Sequence, residues 1–141
     1  MKRILFICTG NTCRSPMAEG IFKKISNSNK YTAESAGLMV SNASSASNDA
    51  INVCQEIGID ISNHKSKSIT EVKDINDIYL FVVMTNEHKN VLKNVGIDDS
   101  KIVVLGGGIP DPYMMGIDKY RITRDSIKTA IEELYEKLET I

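Results

Sequence analysis

Short apolar runs alternate along the chain with segments whose apolar residues recur at helical spacing. The runs predict buried strands at residues 4–7, 31–36, 78–84 and 102–105, and 78–84 is the longest, as expected of a central strand. Strands that alternate with helices are typical of a parallel sheet covered by helices on both faces. We therefore predict a three-layer α/β fold with a four-stranded parallel sheet.

Four helices are predicted between and after these strands. Pro16 suits the first turn of the first helix, Gly58 ends the second, and Asn86 is placed to cap the third. The last helix is predicted over 117–138, and the glycines at 106–108 before it are expected to form a flexible loop. The expected core-facing residues are Ala46, Ala50, Val53, Cys54 and Ile57 in the second helix, and Tyr120, Ile127, Ile131, Leu134 and Leu138 in the last.

The length of 141 residues suits one hydrophobic core, and we expect a single domain over 1–141. Seventeen basic and eighteen acidic side chains give a formal net charge of -1, and no basic stripe follows a helix or strand. Nucleic acid is therefore not an expected partner.

The chain shows no signal-peptide pattern and no run near the roughly 20 apolar residues of a membrane span. These features predict a cytoplasmic protein without membrane contacts, which we expect to act as a monomer. The cysteine count is three, and an odd number suits a reducing compartment better than a disulfide framework. At least one thiol is expected to serve chemistry.

The most informative segment runs from Cys8 to Ser15 and reads Cys-Thr-Gly-Asn-Thr-Cys-Arg-Ser. It joins a predicted strand to a helix N-terminus, where unpaired backbone N–H groups and the helix dipole attract an anion. Arg14 can hold two phosphate oxygens through its planar fork, and the same field favours the thiolate of Cys8. The residues predicted to bind phosphate are Thr9, Gly10, Asn11, Thr12, Cys13, Arg14 and Ser15.

A Cys and an Arg at this spacing are a weak signal by themselves. The loop between them strengthens it, because Gly10 allows a tight turn, Asn11 tolerates left-handed backbone geometry and Ser15 can hydrogen-bond the thiolate. We therefore predict a thiolate nucleophile beneath a bound phosphate.

A candidate general acid follows the fourth predicted strand, in the segment Asp111-Pro112-Tyr113. In open α/β sheets, ligands bind at the carboxyl ends of the strands, where the Cys8 loop also lies. Asp-Pro is a common turn opener, but its position at this edge favours a role for Asp111 in protonating a leaving group.

Taken together, these features resemble the low-molecular-weight protein tyrosine phosphatase family. The resemblance covers nearly the whole chain and includes Glu34-Ser35-Ala36-Gly37, the segment 56–64 and Val83-Met84-Thr85, all in the expected order. It implies a flavodoxin-like fold and phosphorylated protein substrates. We expect neither a metal nor another cofactor.

The family resemblance also implies roles for individual residues. Cys8 attacks phosphorus and becomes phosphocysteine, Arg14 and the loop amides hold the oxygens, and Asp111 protonates the leaving atom and then activates water. The residues that match loop-bracing positions of the family are Asn11, Ser15, Ser35 and His64. His88 is expected to lie on a solvated helix face without a catalytic role.

Two positions depart from the pattern of the tyrosine-specific enzymes. Thr12 stands where those enzymes usually carry Ile or Leu, and Tyr113-Met114 stands where they carry an aromatic pair. Thr12 resembles the protein arginine phosphatase branch, because a hydroxyl can hydrogen-bond a guanidinium that an alkyl group would leave unpaired. The alternative is that Thr12 only packs within the loop, and Tyr113 could flank either substrate. Phosphoarginine is thus favoured modestly over phosphotyrosine.

Three other functions are less consistent with the sequence. A thioredoxin-coupled arsenate reductase needs resolving cysteines downstream, and none follows Cys54. A sugar phosphotransferase carrier domain needs neither Arg14 nor a general acid at Asp111. A non-catalytic phosphate-binding module would not keep a nucleophile at Cys8.

Cys8 and Cys13 lie on the same tight loop, which predicts a redox switch. Peroxide first oxidises an accessible thiolate, and the sulfenic acid can condense with a neighbouring thiol. The alternative is that Cys13 is a buried filler behind the loop.

Overall fold

The computed structural model describes residues 1–140. Its centre is a parallel sheet in the order β2-β1-β3-β4. The strands are β1 (Lys2–Cys8), β2 (Tyr31–Gly37), β3 (Ile78–Val83) and β4 (Ile102–Val104). The predicted four-stranded parallel sheet is confirmed, and β3 occupies one of its two interior positions.

Four helices cover the sheet, namely α1 (Arg14–Ile25), α2 (Asn48–Gln55), α3 (Asn86–Asn94) and α4 (Ile117–Glu139). Alternate residues of β1 face opposite sides. Ile4 and Phe6 pack with α1, α2 and α4, whereas Leu5 and Ile7 pack with α3 and the 3-10 turns between residues 69 and 77. Both faces of the sheet are therefore covered, as the sequence predicted.

The boundaries of two helices differ from the prediction. Ser47 caps α2 by accepting from the Ala50 N–H, so this helix is shorter than its apolar stripe. Thr85, not Asn86, caps α3: its backbone is extended and its hydroxyl accepts from the His88 N–H. A cap residue needs this non-helical backbone, and Asn86 is already the first helical residue.

The glycines at 106–108 form a tight turn rather than the flexible loop predicted. Leu105–Gly107 is a 3-10 turn, and Gly106, Gly107 and Gly108 all have positive φ. A Cβ at Gly106 would lie 3.0 Å from the Cβ of Ala130 on α4. Close packing on α4 therefore fixes this segment.

An ion-pair cluster joins α2 to α4 on the surface. Arg121 and Arg124 of α4 both donate to the carboxylate of Glu56, at 2.7 Å each, and Arg124 also donates to the carbonyl of Val53. These bonds hold the pKa of Glu56 down, to about 2, chiefly through Arg121.

Within residues 1–140, no helix is both long and apolar enough to cross a bilayer.

Candidate active site

The loop from Cys8 to Arg14 lies at the carboxyl edge of the sheet, between β1 and α1. Asn11 is fully buried and has φ 57, so it takes the left-handed conformation that its short polar side chain tolerates. Gly10 does not need positive φ. The glycine that the loop does require is Gly37 at the end of β2, because a Cβ there would lie 2.7 Å from the Thr9 carbonyl oxygen.

The sulfur of Cys8 has two hydrogen-bond partners inside this loop. Cys8 is only 2% exposed, and its Sγ lies 3.2 Å from the Asn11 N–H donor and 3.0 Å from the Ser15 hydroxyl. Ser15 Oγ itself accepts from the Asn11 side-chain amide at 2.7 Å, so its proton is available to the sulfur. Both contacts stabilise a negative sulfur.

The orientation of Asn11 is fixed by its own partners. Its Oδ1 accepts from the Lys67 N–H at 3.0 Å, and its main-chain carbonyl accepts from His64 Nε2 at 2.7 Å. The Lys67 N–H can only donate, so Oδ1 of Asn11 faces Lys67 and Nδ2 of Asn11 faces Ser15. The Asn11 carbonyl oxygen can only accept, so Nε2 of His64 carries a proton. The structure thus brings Asn11, Ser15 and His64 together in the loop that surrounds Cys8.

Ser35 does not join this group. Its hydroxyl donates to the carboxylate of Glu19 at 2.6 Å and so ties β2 to α1. The expected loop-bracing contact of Ser35 is replaced by a contact one helical turn beyond Ser15. Any effect of Ser35 on the loop passes through α1.

Several amides of the loop have no hydrogen-bond partner among residues 1–140. Cys13 caps α1 without a side-chain bond, and Pro16 lacks an N–H group. The amides without a protein acceptor are those of Thr9, Gly10, Thr12, Cys13, Arg14 and Ser15. Successive free N–H groups at a helix N-terminus form a binding site for a tetrahedral anion.

Arg14 and Asp111 close one side of this site. Arg14 is 5% exposed, and its Nη1 donates to the Ile109 carbonyl at 2.9 Å. Its Nη2 lies 3.7 Å from Oδ2 of Asp111, whose side chain is 53% exposed. Oδ1 of Asp111 accepts from the Tyr113 N–H, so Oδ2 is the oxygen that faces Arg14. Within residues 1–140, the bond to Ile109 is the one hydrogen bond that the Arg14 guanidinium makes, so its Nη2 edge can still bond a ligand.

These residues surround a pocket of about 200 Å³. Its lining consists of Cys8, Thr9, Gly10, Thr12, Cys13, Arg14, Asp111 and Tyr113. The ring of Tyr113 is 61% exposed at the rim. The two positions predicted from the sequence to govern selectivity, Thr12 and Tyr113, thus meet in one pocket with Cys8.

Cys13 contacts α4 and the α2 cap as well as the pocket. Its sulfur lies 3.2 Å from the Tyr120 hydroxyl and 3.5 Å from that of Ser47. Burial and the bond to Cys13 raise the pKa of Tyr120 to about 12.

Cys54 is fully buried in α2, and burial raises its pKa to about 12, so this thiol is a poor nucleophile.

His88 is where the sequence prediction is wrong. It is 6% exposed rather than solvated, and its Nε2 lies 2.9 Å from Oγ1 of Thr9 in the pocket wall. Burial and the charge of Arg14 lower its pKa. No sequence signal identified it, because its helix carries mostly polar residues and the partner of His88 is far away along the chain.

Within residues 1–140, no cluster of His, Cys, Asp or Glu could hold a metal ion.

Comparison with known proteins places this fold and site in one family. The family described as low molecular weight phosphotyrosine protein phosphatase matches residues 3–140. The chain belongs to this family and is a cysteine-dependent protein phosphatase, whose substrates are phosphorylated proteins.

Individual relatives carry different names at similar identity. A protein-arginine-phosphatase of Bacillus subtilis (strain 168) is 34% identical, over 96% of this chain and 95% of its own length. An arsenate reductase 2 of Staphylococcus haemolyticus is 38% identical, over 93% and 94%. The crystal structure of a low molecular weight protein tyrosine phosphatase from T. tengcongensis is 38% identical, with a TM-score of 0.89 over 97% and 99%. Identity therefore does not choose among these substrates.

Proposed function

We propose that this phosphatase hydrolyses phosphoarginine in proteins. The observation that carries the proposal is the side chain of Thr12, which lines the pocket. Among residues 1–140 its hydroxyl has one polar contact, a long one of 3.8 Å to the sulfur of Cys13. The hydroxyl is free to pair with a guanidinium N–H of the substrate, a donor that an alkyl side chain would leave buried and unpaired.

The rest of the rim is compatible with this substrate. The carboxylate of Asp111 is half exposed beside the pocket and can face a guanidinium. The exposed ring of Tyr113 can stack on a planar guanidinium or on an aromatic ring, so it supports both substrates equally. The relative named protein-arginine-phosphatase adds support, and the relative named tyrosine phosphatase makes phosphotyrosine the second candidate.

In the proposed reaction, Cys8 Sγ attacks phosphorus and forms an S–P bond while the bond from phosphorus to the leaving nitrogen breaks. Asp111 gives its proton to that nitrogen. The Asp111 carboxylate then takes a proton from a water molecule that attacks phosphorus, and the S–P bond breaks to release inorganic phosphate. The free loop amides and Arg14 hold the non-bridging oxygens throughout. The Asn11 N–H and the Ser15 hydroxyl stabilise the thiolate that leaves.

Arsenate reduction fits this chain less well, although one relative is named for it. That chemistry needs resolving thiols after the nucleophile, and the chain has no cysteine beyond Cys54. Cys54 itself is fully buried in α2. The site therefore supports hydrolysis rather than a thiol relay.

We also expect the enzyme to work as a monomer in the cytoplasm. Cys8, Cys13 and Cys54 are all free thiols, as a reducing compartment requires.

Paired peptides of one sequence, carrying phosphoarginine or phosphotyrosine, test the substrate. Thr12→Val and Thr12→Ile remove the hydroxyl, and we expect the ratio of kcat/KM to shift toward phosphotyrosine by about 10-fold or more, as for one lost hydrogen bond. Thr12→Ser is the matched control and should keep the wild-type ratio. An unchanged ratio in Thr12→Val would leave phosphotyrosine as the better assignment.

A nucleophile control separates the substrate question from the mechanism. Cys8→Ser should lose turnover of both peptides while it still binds vanadate, because the amides and Arg14 remain. Substantial residual turnover would contradict the phosphocysteine intermediate.

A further inference from the structure

A buried histidine that has no part in the reaction proposed above contacts the pocket wall. His88 lies in the first turn of α3, and its Nε2 is 2.9 Å from Oγ1 of Thr9. Its other ring nitrogen, Nδ1, is buried and has no hydrogen-bond partner among residues 1–140. Thr9 is exposed and lines the pocket, and His88 is its hydroxyl's sole partner in the same range.

The surroundings of His88 favour a neutral ring. Three charged groups influence it, namely Arg14, Glu87 and Asp111, and burial together with Arg14 outweighs the two acids and lowers its pKa. A neutral imidazole carries one proton. If that proton sat on Nδ1, it would be a buried N–H without an acceptor, which native proteins rarely keep. On Nε2, the same proton is used in a hydrogen bond.

This protonation state decides what the Thr9 hydroxyl can do. A hydroxyl has one proton to donate and accepts through its lone pairs. When Nε2–H donates to Oγ1, the acceptor side of Thr9 is occupied by His88. Its own proton then remains for an acceptor in the pocket, where the proposed substrate brings phosphoryl oxygens.

We propose that His88 is a positioning residue of the phosphatase reaction: its Nε2–H donates to Thr9 Oγ1 and so directs the Thr9 proton to a phosphoryl oxygen. The pocket thereby gains a side-chain donor in addition to the loop amides and Arg14. His88 touches no reacting atom, and its effect passes entirely through Thr9.

The first experiment measures binding of inorganic phosphate, and kcat and KM for an aryl phosphate, in single and double variants. His88→Leu and Thr9→Val should each weaken phosphate binding and lower kcat/KM by about 10-fold, as one charge-assisted hydrogen bond is lost. The double variant should be no worse than Thr9→Val, because the two residues act as one unit. Losses that multiply in the double variant, or wild-type values in either single variant, would overturn the proposal.

Conservative variants separate positioning from a packing role. His88→Gln places an N–H near the position of Nε2 and should restore most of the binding, and Thr9→Ser keeps the hydroxyl and should do the same. A packing role would instead make His88→Gln as poor as His88→Leu. The melting temperature of each variant shows whether it is folded.

The wild-type protein supplies a second test that needs no substitution. Nitrogen-15 shifts of the His88 ring, followed from about pH 5 to about pH 8, report which nitrogen carries the proton. We expect a protonated Nε2 and a bare Nδ1 at neutral pH, unchanged when vanadate is added. A proton on Nδ1 would refute the proposal. Both experiments use an oxyanion or an aryl phosphate, so their outcome is independent of the preference between phosphoarginine and phosphotyrosine.

Discussion

The reactivity of a thiol depends on the few groups that can donate a hydrogen bond to its sulfur. Around Cys8 these are one main-chain amide and one hydroxyl, and the Ser15 hydroxyl is itself held by the side-chain amide of Asn11. Lys67 in turn fixes that amide from the opposite side. A change at Asn11 therefore affects the sulfur through two bonds at once, although only its main chain touches Cys8.

Asp111 is expected to matter most when the leaving group is poor. Asp111→Asn cannot supply a proton, so hydrolysis of a phosphopeptide should slow by roughly the 10²–10⁴-fold of general acid catalysis. An activated aryl phosphate needs less protonation and should be affected less. Steady-state kcat on the two substrates measures the difference, and equal losses would show that Asp111 is not the acid.

Oxidation should be reversible in the wild type and irreversible without Cys13. Peroxide oxidises the sulfur of Cys8 to a sulfenic acid, and a neighbouring thiol can trap it as a disulfide before further oxidation. Cys13 must leave its contact with the Tyr120 hydroxyl to reach it. We expect dithiothreitol to restore activity to wild type and to Cys54→Ala but not to Cys13→Ser. Peptide mapping that finds no Cys8–Cys13 link would contradict the switch.

At the scale of elements, the loop from Cys8 to Arg14 is held by the end of β2 as much as by its own flanking strand and helix. The Leu38 and Met39 N–H groups donate to the Cys8 and Thr9 carbonyls, and Gly37 lies directly against the loop. The position of the anion site therefore depends on how closely two neighbouring strand ends approach.

Gly37→Ala tests this dependence. Its Cβ would lie 2.7 Å from the Thr9 carbonyl oxygen and 2.6 Å from Cγ2 of Val40, so the loop must move. We expect weaker vanadate binding and lower kcat, with the helical circular dichroism retained. Adding Val40→Ala removes the side-chain clash but not the main-chain clash. Full recovery in that double variant would show that the loop itself was not displaced.

At the scale of the molecule, the sequence predicted the sheet, its covered faces and the position of the Cys8 loop at the carboxyl edge of the sheet. These follow from local periodicity and from a loop whose residues are contiguous. It could not predict the contact of His88 with Thr9 or that of Ser35 with Glu19, because each joins residues that only the assembled fold brings together. Helix caps were also missed where, as at Thr85 and Asn86, two adjacent residues can both cap.

The link between α2 and α4 should make stability depend on acid pH. The pKa of Glu56 is lowered from 4.5 to about 2, first by Arg121, so its contribution is complete above about pH 4.5 and is lost as the pH falls toward 2. Glu56→Gln should therefore be less stable than wild type near neutral pH. Denaturant unfolding at several pH values should show the difference vanishing toward pH 2, and a gap that persists there would exclude the charge as its source.

The anion site is made chiefly of main-chain N–H groups, and this has an evolutionary consequence. Apart from substitution by proline, no single-residue change deletes a main-chain donor, so the site is inherited with the backbone and can accept any tetrahedral oxyanion of suitable size. Proteins named for arginine phosphate, tyrosine phosphate and arsenate chemistry can therefore share one scaffold. Divergence between the two phosphatase activities can then occur at rim positions such as Thr12 and Tyr113, where a new substrate can be acquired without rebuilding the pocket.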